Sequence, residues 1–239
     1  LLLLVAPLSC SSCAETKSEP PKTPRALVPT PAPSACGICY AHNWQDRGKD
    51  GYGSETSERS LAELRRLGIR RLSVTPFGWA SSERSAEVRW SSSWHAAENF
   101  GRLRKVIARA HGAKMEVVLK PHIWLRGGWR ATIKPAKEAG GWDAWFASYR
   151  RFILAYAKLA AETGVETFVI GVELGSSTKA RPGAWRRLIA AVREVYPRDR
   201  GKLLYGANWD EAERIPFWDA LDAIGVQMFA PLTTKARPS

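Results

Sequence analysis

The stretch GWDAWFASYRRFILAYAKLAAETGVETFVIGVE, residues 141–173, decides the fold. Residues 141–164 carry apolar side chains at helical spacing and read as a long amphipathic helix, and the helix expected at 57–68 ends at Gly68, a residue type that suits the left-handed turn after a helix. Residues 165–173 then form a short apolar run ending in a carboxylate, Glu173. A helix leading directly into a buried strand is half of a parallel β-α-β crossover. The same alternation runs outward in both directions. Upstream, strands are expected at 36–42, 69–77 and 113–122, with helices at 57–68 and 96–112. Downstream come a helix at 182–196 opened by Pro182, a strand at 202–209, a short helical stretch at 213–222 and a strand at 223–230. Six strands spaced about 34 residues apart fit the units of a (β/α)8 barrel of roughly 250 residues. The rival doubly wound sheet carries a Gly-rich phosphate turn after its first strand. Here that turn is HNWQDRGKDGYGS, 42–54, with no G-x-G-x-x-G. The expected fold class is therefore α/β, a TIM (β/α)8 barrel truncated after about six β/α units.

The N-terminus reads differently. Residues 1–13 are apolar up to Leu8 and then carry Cys10 and Cys13 after small residues, as in the remnant of a signal peptide with a lipobox. Residues 14–34 are rich in Pro, Ser and Thr and form a tether that cannot bury a core. An exported protein of the bacterial envelope, lipidated at Cys10 or Cys13 or secreted, is expected. The start at Leu1 and the stop after a sixth strand suggest an incomplete domain over 35–239.

Composition narrows the function. The 239 residues are 45% hydrophobic, enough for a sizeable core, and no apolar run is long enough for an ordinary membrane span. A formal charge of +13 invites a polyanion partner. A nucleic-acid footprint needs clustered cations, whereas these are scattered over helices, as at Arg65, Arg66, Arg102, Arg104, Arg186 and Arg187. No nucleic acid is expected as partner. Cys36 and Cys39 form a C-x-x-C, but on a strand residues three apart face opposite sides, and no second pair completes a zinc site. Both read as buried strand cysteines.

Period-two reading of the strands gives an inward set. It comprises Tyr40 and His42; Ser73, Thr75 and Phe77; Val118, Lys120 and His122; Val169, Gly171 and Glu173; Leu204, Gly206 and Asn208; Gly225, Gln227 and Phe229. The upper members His42, Lys120, His122, Glu173, Asn208 and Gln227 converge on the C-terminal mouth, where barrel enzymes work. Glu173 is the sharpest of them. A carboxylate ending an apolar strand is costly to bury without a task or a partner. Its bland reading is an ion pair with Lys120 or Arg181; its functional reading is a general acid/base. His95 and His111 read as ordinary, with His111 at a helix C-terminus.

Eleven tryptophans are more than a core requires. Trp142, Trp145, Trp185 and Trp218 fall on helices and read as core, whereas Trp44, Trp79, Trp90, Trp94, Trp124, Trp129 and Trp209 follow strands. Indole faces stack on pyranose rings, and the hydroxyl edges then need polar partners. Aromatic residues beside cations also suit single-stranded nucleic acid, so the count alone leaves both open.

The segments CYAHNWQDRGKDGYGS, SVTPFGW, LKPHIWLRGGWR, FVIGVELGS and YGANWDEAERIPFWDALDAIGVQMFAPL together resemble glycoside hydrolase family 113, a clan A family of (β/α)8 glycosidases, over about 36–232. The resemblance implies a retaining β-glycoside hydrolase acting on β-1,4-mannan. It puts the acid/base at Glu173 and the nucleophile on a glutamate ending a seventh strand. Asp210, Glu211 and Glu213 are not taken for that nucleophile, because they follow the fifth strand where acidic residues suit a helix start. His42, Lys120, His122, Asn208 and Gln227 are expected to bind sugar hydroxyls, and Trp44, Trp124 and Trp209 to stack on the rings. No metal or organic cofactor is implied. Two positions depart from the clan pattern: Val172 stands where many relatives have Asn, and Phe229 stands where a tyrosine is expected. A non-catalytic carbohydrate-binding barrel is the alternative.

Overall fold

The computed structural model describes residues 37–41, 50–90, 100–231 and 233. Among these, six strands form one wholly parallel sheet: β1 (Gly37–Tyr40), β2 (Arg71–Val74), β4 (Glu116–Leu119), β6 (Thr167–Val172), β7 (Lys202–Asn208) and β8 (Ala223–Gln227), hydrogen-bonded in that order. Helices α1 (Glu55–Arg66), α2 (Phe100–Gly112), α3 (Gly141–Thr163) and α5 (Pro182–Val195) alternate with them along the chain. A parallel pair cannot be closed by a tight turn, so each strand needs a crossover; the amphipathic helices supply it up to β7, and two 3-10 turns lie between β7 and β8. The architecture is that of the first six units of a (β/α)8 barrel, as the sequence predicts.

The helices end where their sequences require. Ser54 caps α1 by accepting a hydrogen bond from Ser57 N at 3.1 Å. Gly164 closes α3 at φ 70°, the left-handed conformation that glycine adopts without penalty. Between helices and sheet lies an aromatic core. Trp145, Tyr149, Phe152 and Tyr156 of α3 are buried, and Trp185 of α5 stacks on Phe217 with ring centroids 5.5 Å apart. The inner face of the sheet holds a smaller cluster, Val118, Val169, Val172 and Leu204, with Ala223 against it. A cavity of about 110 Å³ beside this cluster is lined by Gly37, Cys39, Ser73, Val118, Leu204 and others.

The structure corrects several sequence expectations. The second and third barrel strands stop at Val74 and Leu119, short of Phe77 and His122. The cause is a pair of prolines, Pro76 and Pro121, which donate no backbone hydrogen bond and break the ladder at matching positions. Pairing resumes beyond them as a separate parallel two-stranded sheet, β3 (Phe77–Ala80) with β5 (His122–Leu125). The link is a bond from His122 N to Pro76 O at 2.8 Å.

The inward phase differs in two places. Tyr40 points to the helix side, its hydroxyl donating to Ser57 on α1, so Cys39 is the inward residue of β1. Cys39 is half-buried rather than buried, and Cys36 lies outside the described residues. A register shift between Val169 and Val172 turns Gly171 outward. A Cβ there would lie 2.7 Å from Trp185 and 3.0 Å from Tyr205. Val172 takes the inward place instead, beside Val169.

Three elements also differ in detail. A six-residue helix, α4 (Gly175–Ala180), follows β6 where none was expected. The stretch 213–222 is not one helical segment but holds parts of two 3-10 turns, Ala212–Arg214 and Trp218–Ala220. The start of the helix expected at 96–112 lies outside the described residues, and α2 is described from Phe100.

Candidate active site

Lys120, Glu173, Asn208 and Gln227 stand at the C-terminal ends of β4, β6, β7 and β8. All four are buried. His122 and Trp124 arrive on β5, whose sheet extends the barrel wall past the two prolines. Trp209 follows Asn208 directly. His42 and Trp44 lie outside the described residues, as do Trp94 and His95.

Glu173 is the centre of this set. It is 8% exposed and has φ 51°, a left-handed conformation that costs a non-glycine residue about 1–3 kcal/mol. Its amide donates to Gly206 O at 2.8 Å, which ties the end of β6 to β7. Its carboxylate accepts from Arg130 at 2.5 Å. Sequence reading offered Lys120 or Arg181 as partner. The cation is instead Arg130, in the 3-10 turn Arg130–Thr132, and its Nε donates to Ile123 O of β5 at 3.1 Å. One guanidinium thus fastens the β5 extension to Glu173. An ion pair this buried is expensive to form and still more expensive to break on one side.

Lys120 is 1% exposed, and its ammonium donates to Cys39 Sγ at 3.5 Å, across the inner face of the sheet. His122 packs on Phe77 at 5.4 Å, and both of its ring nitrogens are buried without a hydrogen-bond partner. Burial first, and then the positive charges of Lys120 and Arg130, hold its imidazole well below its ordinary value, so it is neutral at pH 7. A neutral imidazole with no protein partner can donate to one hydroxyl and accept from another. Asn208 donates to Asp210 at 2.6 Å, which orients its amide.

The tryptophans divide more evenly than the sequence suggested. Trp124, Trp129 and Trp209 are 52%, 45% and 41% exposed, and large rings are seldom left so open. Trp90, expected on this face, is half-buried and stacks on Phe152 of α3. It belongs to the core. Trp145 and Trp185 are fully buried, as expected for helix positions. Phe229 lies beyond the end of β8 and is 55% exposed.

Two further residues at this end of the sheet escaped sequence reading. Tyr205 of β7 is fully buried and accepts from Leu174 N at 2.6 Å. It donates to Glu211 at 2.9 Å. Glu211 stands at the start of the 3-10 turn Ala212–Arg214, as the sequence suggested, and its carboxyl is buried, 9% exposed. Burial, and then the charges of Asp210 and Glu173, push it above the usual carboxylate range against the lowering effect of its hydrogen bonds. The signal that could have found it is the pairing of an inward-turning acid with a strand tyrosine six residues before it. Among the described residues no cluster of His, Cys, Asp and Glu could hold a metal ion.

The chain is similar to a solved GH113 β-1,4-mannanase, with 28% identity and a TM-score of 0.70 over 82% of this chain and 62% of that one. It is also similar to the GH113 β-mannanase AaManA from Alicyclobacillus acidocaldarius in complex with ManMIm, with 25% identity and a TM-score of 0.69 over 79% of this chain and 59% of that one. The chain thus spans about three-fifths of the length of these relatives. An exo-β-1,4-mannosidase, Op5Man5 from Opitutaceae bacterium strain TAV5, shares the fold at 16% identity and a TM-score of 0.50, over 74% of this chain and 32% of that one. No curated protein sequence matches the chain. The model of Glycoside Hydrolase Family 113 matches residues 40–238, so on sequence and fold together the chain belongs to that family.

Proposed function

We propose that the protein is a retaining glycoside hydrolase acting on β-1,4-linked mannan or its oligosaccharides, with Glu173 as acid/base. The observation that carries this reading is Glu173 itself: a carboxylate at a strand's C-terminal end, in a strained conformation, paired with Arg130 and beside a neutral His122. Glu173 protonates the glycosidic oxygen as the bond to the leaving sugar breaks. It then takes a proton from the water that releases the glycosyl group. Lys120, His122, Asn208 and Gln227 bind and orient hydroxyls, and Trp124 and Trp209 stack on sugar faces. His42 and Trp44 are assigned to the same cleft on sequence alone.

The retaining mechanism requires a second carboxylate about 5–5.5 Å from the first. Glu211 does not serve. One of its oxygens accepts from Tyr205, and the other lies where a Cβ on Gly175 would be. The nucleophile belongs, on the family resemblance, to a seventh strand that the described residues do not include. We accordingly expect the 239-residue chain alone to bind the sugar without turning it over. Export as a lipoprotein or secreted protein, from residues 1–34, is part of the same proposal.

The test is Glu173→Gln in protein expressed from its complete reading frame, assayed on an aryl β-mannoside with a poor leaving group. Loss of acid/base catalysis lowers kcat/KM by roughly 10²–10⁴-fold and removes the pH dependence that Glu173 imposes. Binding of mannohexaose persists. An unchanged rate and pH profile would show that Glu173 is not the acid/base. Persistent binding with no turnover in the parent protein would favour the carbohydrate-binding alternative.

A further inference from the structure

We propose that Glu211 is a positioning residue for Glu173, acting through the Tyr205 hydroxyl on the backbone from which the Glu173 side chain departs. Its functional meaning rests on the acid/base reading of Glu173.

Glu173 sits at φ 51°, which a residue with a Cβ holds only when its surroundings impose it. Two hydrogen bonds impose it, both to β7. The Glu173 amide donates to Gly206 O, and the next amide, Leu174 N, donates to Tyr205 Oη at 2.6 Å. The first is an ordinary strand contact. The second depends on which way a hydroxyl points. Tyr205 Oη has a single proton; while that proton is engaged elsewhere, a lone pair faces Leu174. Glu211 engages it, accepting from Tyr205 at 2.9 Å. A hydroxyl that accepts from an amide and donates to a carboxylate is polarised in one sense, and each bond strengthens the other.

Glu211 is itself held for this purpose. Its amide donates to Asn208 O at 3.1 Å, and Arg214 N donates to its carbonyl at 2.9 Å, fixing the turn after β7. Gly175 leaves room for its second oxygen. A Cβ at 175 would collide with Glu211 Oε2, although the Gly175 backbone does not need a glycine's left-handed conformation. Packing does not require the acid, since Tyr205 already fills its place between Trp185 and Phe217, with ring centroids 5.4 and 5.7 Å away. A buried carboxyl facing Asp210 on its own turn and Glu173 across from β6 is a cost to the fold. Among the described residues no cation lowers its pKa, and Arg130 is bound to Glu173. The cost is explained if the acid holds the catalytic backbone in place.

The test is amide hydrogen exchange on the whole chain, read by NMR. In Glu211→Leu, Leu174 N–H is expected to exchange at least ten-fold faster while Phe168 on β6 and Leu203 on β7 stay within two-fold of wild type. Glu211→Gln, which keeps an acceptor for the tyrosine proton, is expected to restore protection. Tyr205→Phe is expected to reproduce the local loss, and it carries the test if Glu211→Leu does not fold. Unchanged Leu174 protection in Glu211→Leu, uniform loss along β6 and β7, or failure of Gln to rescue would each overturn the proposal. In active protein, Glu211→Leu lowers kcat at least ten-fold with KM changed less than three-fold, and Gln recovers it. If wild-type protein expressed from its complete reading frame shows no turnover, the acid/base reading of Glu173 fails, and the exchange comparison still decides whether Glu211 holds the backbone.

Discussion

At the residue scale the site is stabilised against its own chemistry. His122 shows this most directly, with two buried ring nitrogens that bond to nothing in the protein. A buried polar group without a partner costs about 1–3 kcal/mol, so His122 is retained at the expense of the fold. Its depressed folded-state pKa fixes the sign of its pH effect. Above pH 6.5 both folded and unfolded forms are neutral, and stability is full. As pH falls below 6.5 the unfolded chain takes up a proton that the folded chain refuses, and stability drops by up to about 1.4 kcal/mol per pH unit until the folded value is reached. Because His122 packs on Phe77, His122→Phe should raise the melting temperature at pH 7 and flatten its decline between pH 6.5 and 5. Sugar binding should weaken in the same variant. A variant with the wild-type acid limb would assign that limb to other groups. His122 was legible in the sequence as a mouth residue. Its isolation was not, because hydrogen-bond partners come from other strands.

At the element scale the decisive feature is the bulge in β6. Strict alternation would point Gly171 and Glu173 the same way. The register shift instead sends Gly171 against Trp185, Tyr205 and Tyr149, and the left-handed Glu173 then turns its carboxylate to Arg130. Tyr149 of α3 donates to Ile170 O at 2.8 Å, so the helix layer holds the irregular strand from outside. A methyl at 171 has nowhere to go, since its neighbours are two fully buried aromatic rings and a buried hydroxyl. Gly171→Ala should destabilise by about 1–3 kcal/mol, the usual range for overpacking, measured by urea unfolding. On the proposed role of Glu173, it should also lower the activity of protein expressed from its complete reading frame more than an equally destabilising change in α1, because β6 carries Glu173. Equal stability to wild type would show that the bulge absorbs the methyl. The glycine was visible in FVIGVE, but a bulge leaves no mark in a period-two pattern.

At the scale of the whole molecule, charge and edges matter most. The cations are dispersed, and many meet acids across elements, as in Arg71 with Glu116, Arg104 with Glu162, Arg109 with Glu58 and Arg186 with Asp219. Such exposed pairs contribute little stability. Among the described residues the last strand of the sheet is β8, and Ile224 on it and Met228 and Phe229 just after it are more than half exposed. No described helix covers the outer face of that strand. An open apolar strand edge is a template for pairing with another chain. The 239-residue chain should therefore self-associate as concentration rises, and Ile224→Lys should reduce this, both read by sedimentation velocity. A monomer at every concentration would show that the edge is protected.

The order of strands and helices was determined by the sequence alone, because hydrophobic period and helix-ending glycines are local properties of the chain. So was the choice of Glu173, since a carboxylate closing an apolar strand is anomalous wherever the chain folds. The tertiary structure decided its partners. Arg130, 43 residues before it, pairs with its carboxylate; Tyr205, 32 after it, bonds the next amide, and Glu211, 38 after it, bonds Tyr205, and only the packing of β5, β6 and β7 brings these groups together. A hydrogen bond depends on a few tenths of an ångström between distant segments, and spacing along a chain carries no information at that resolution.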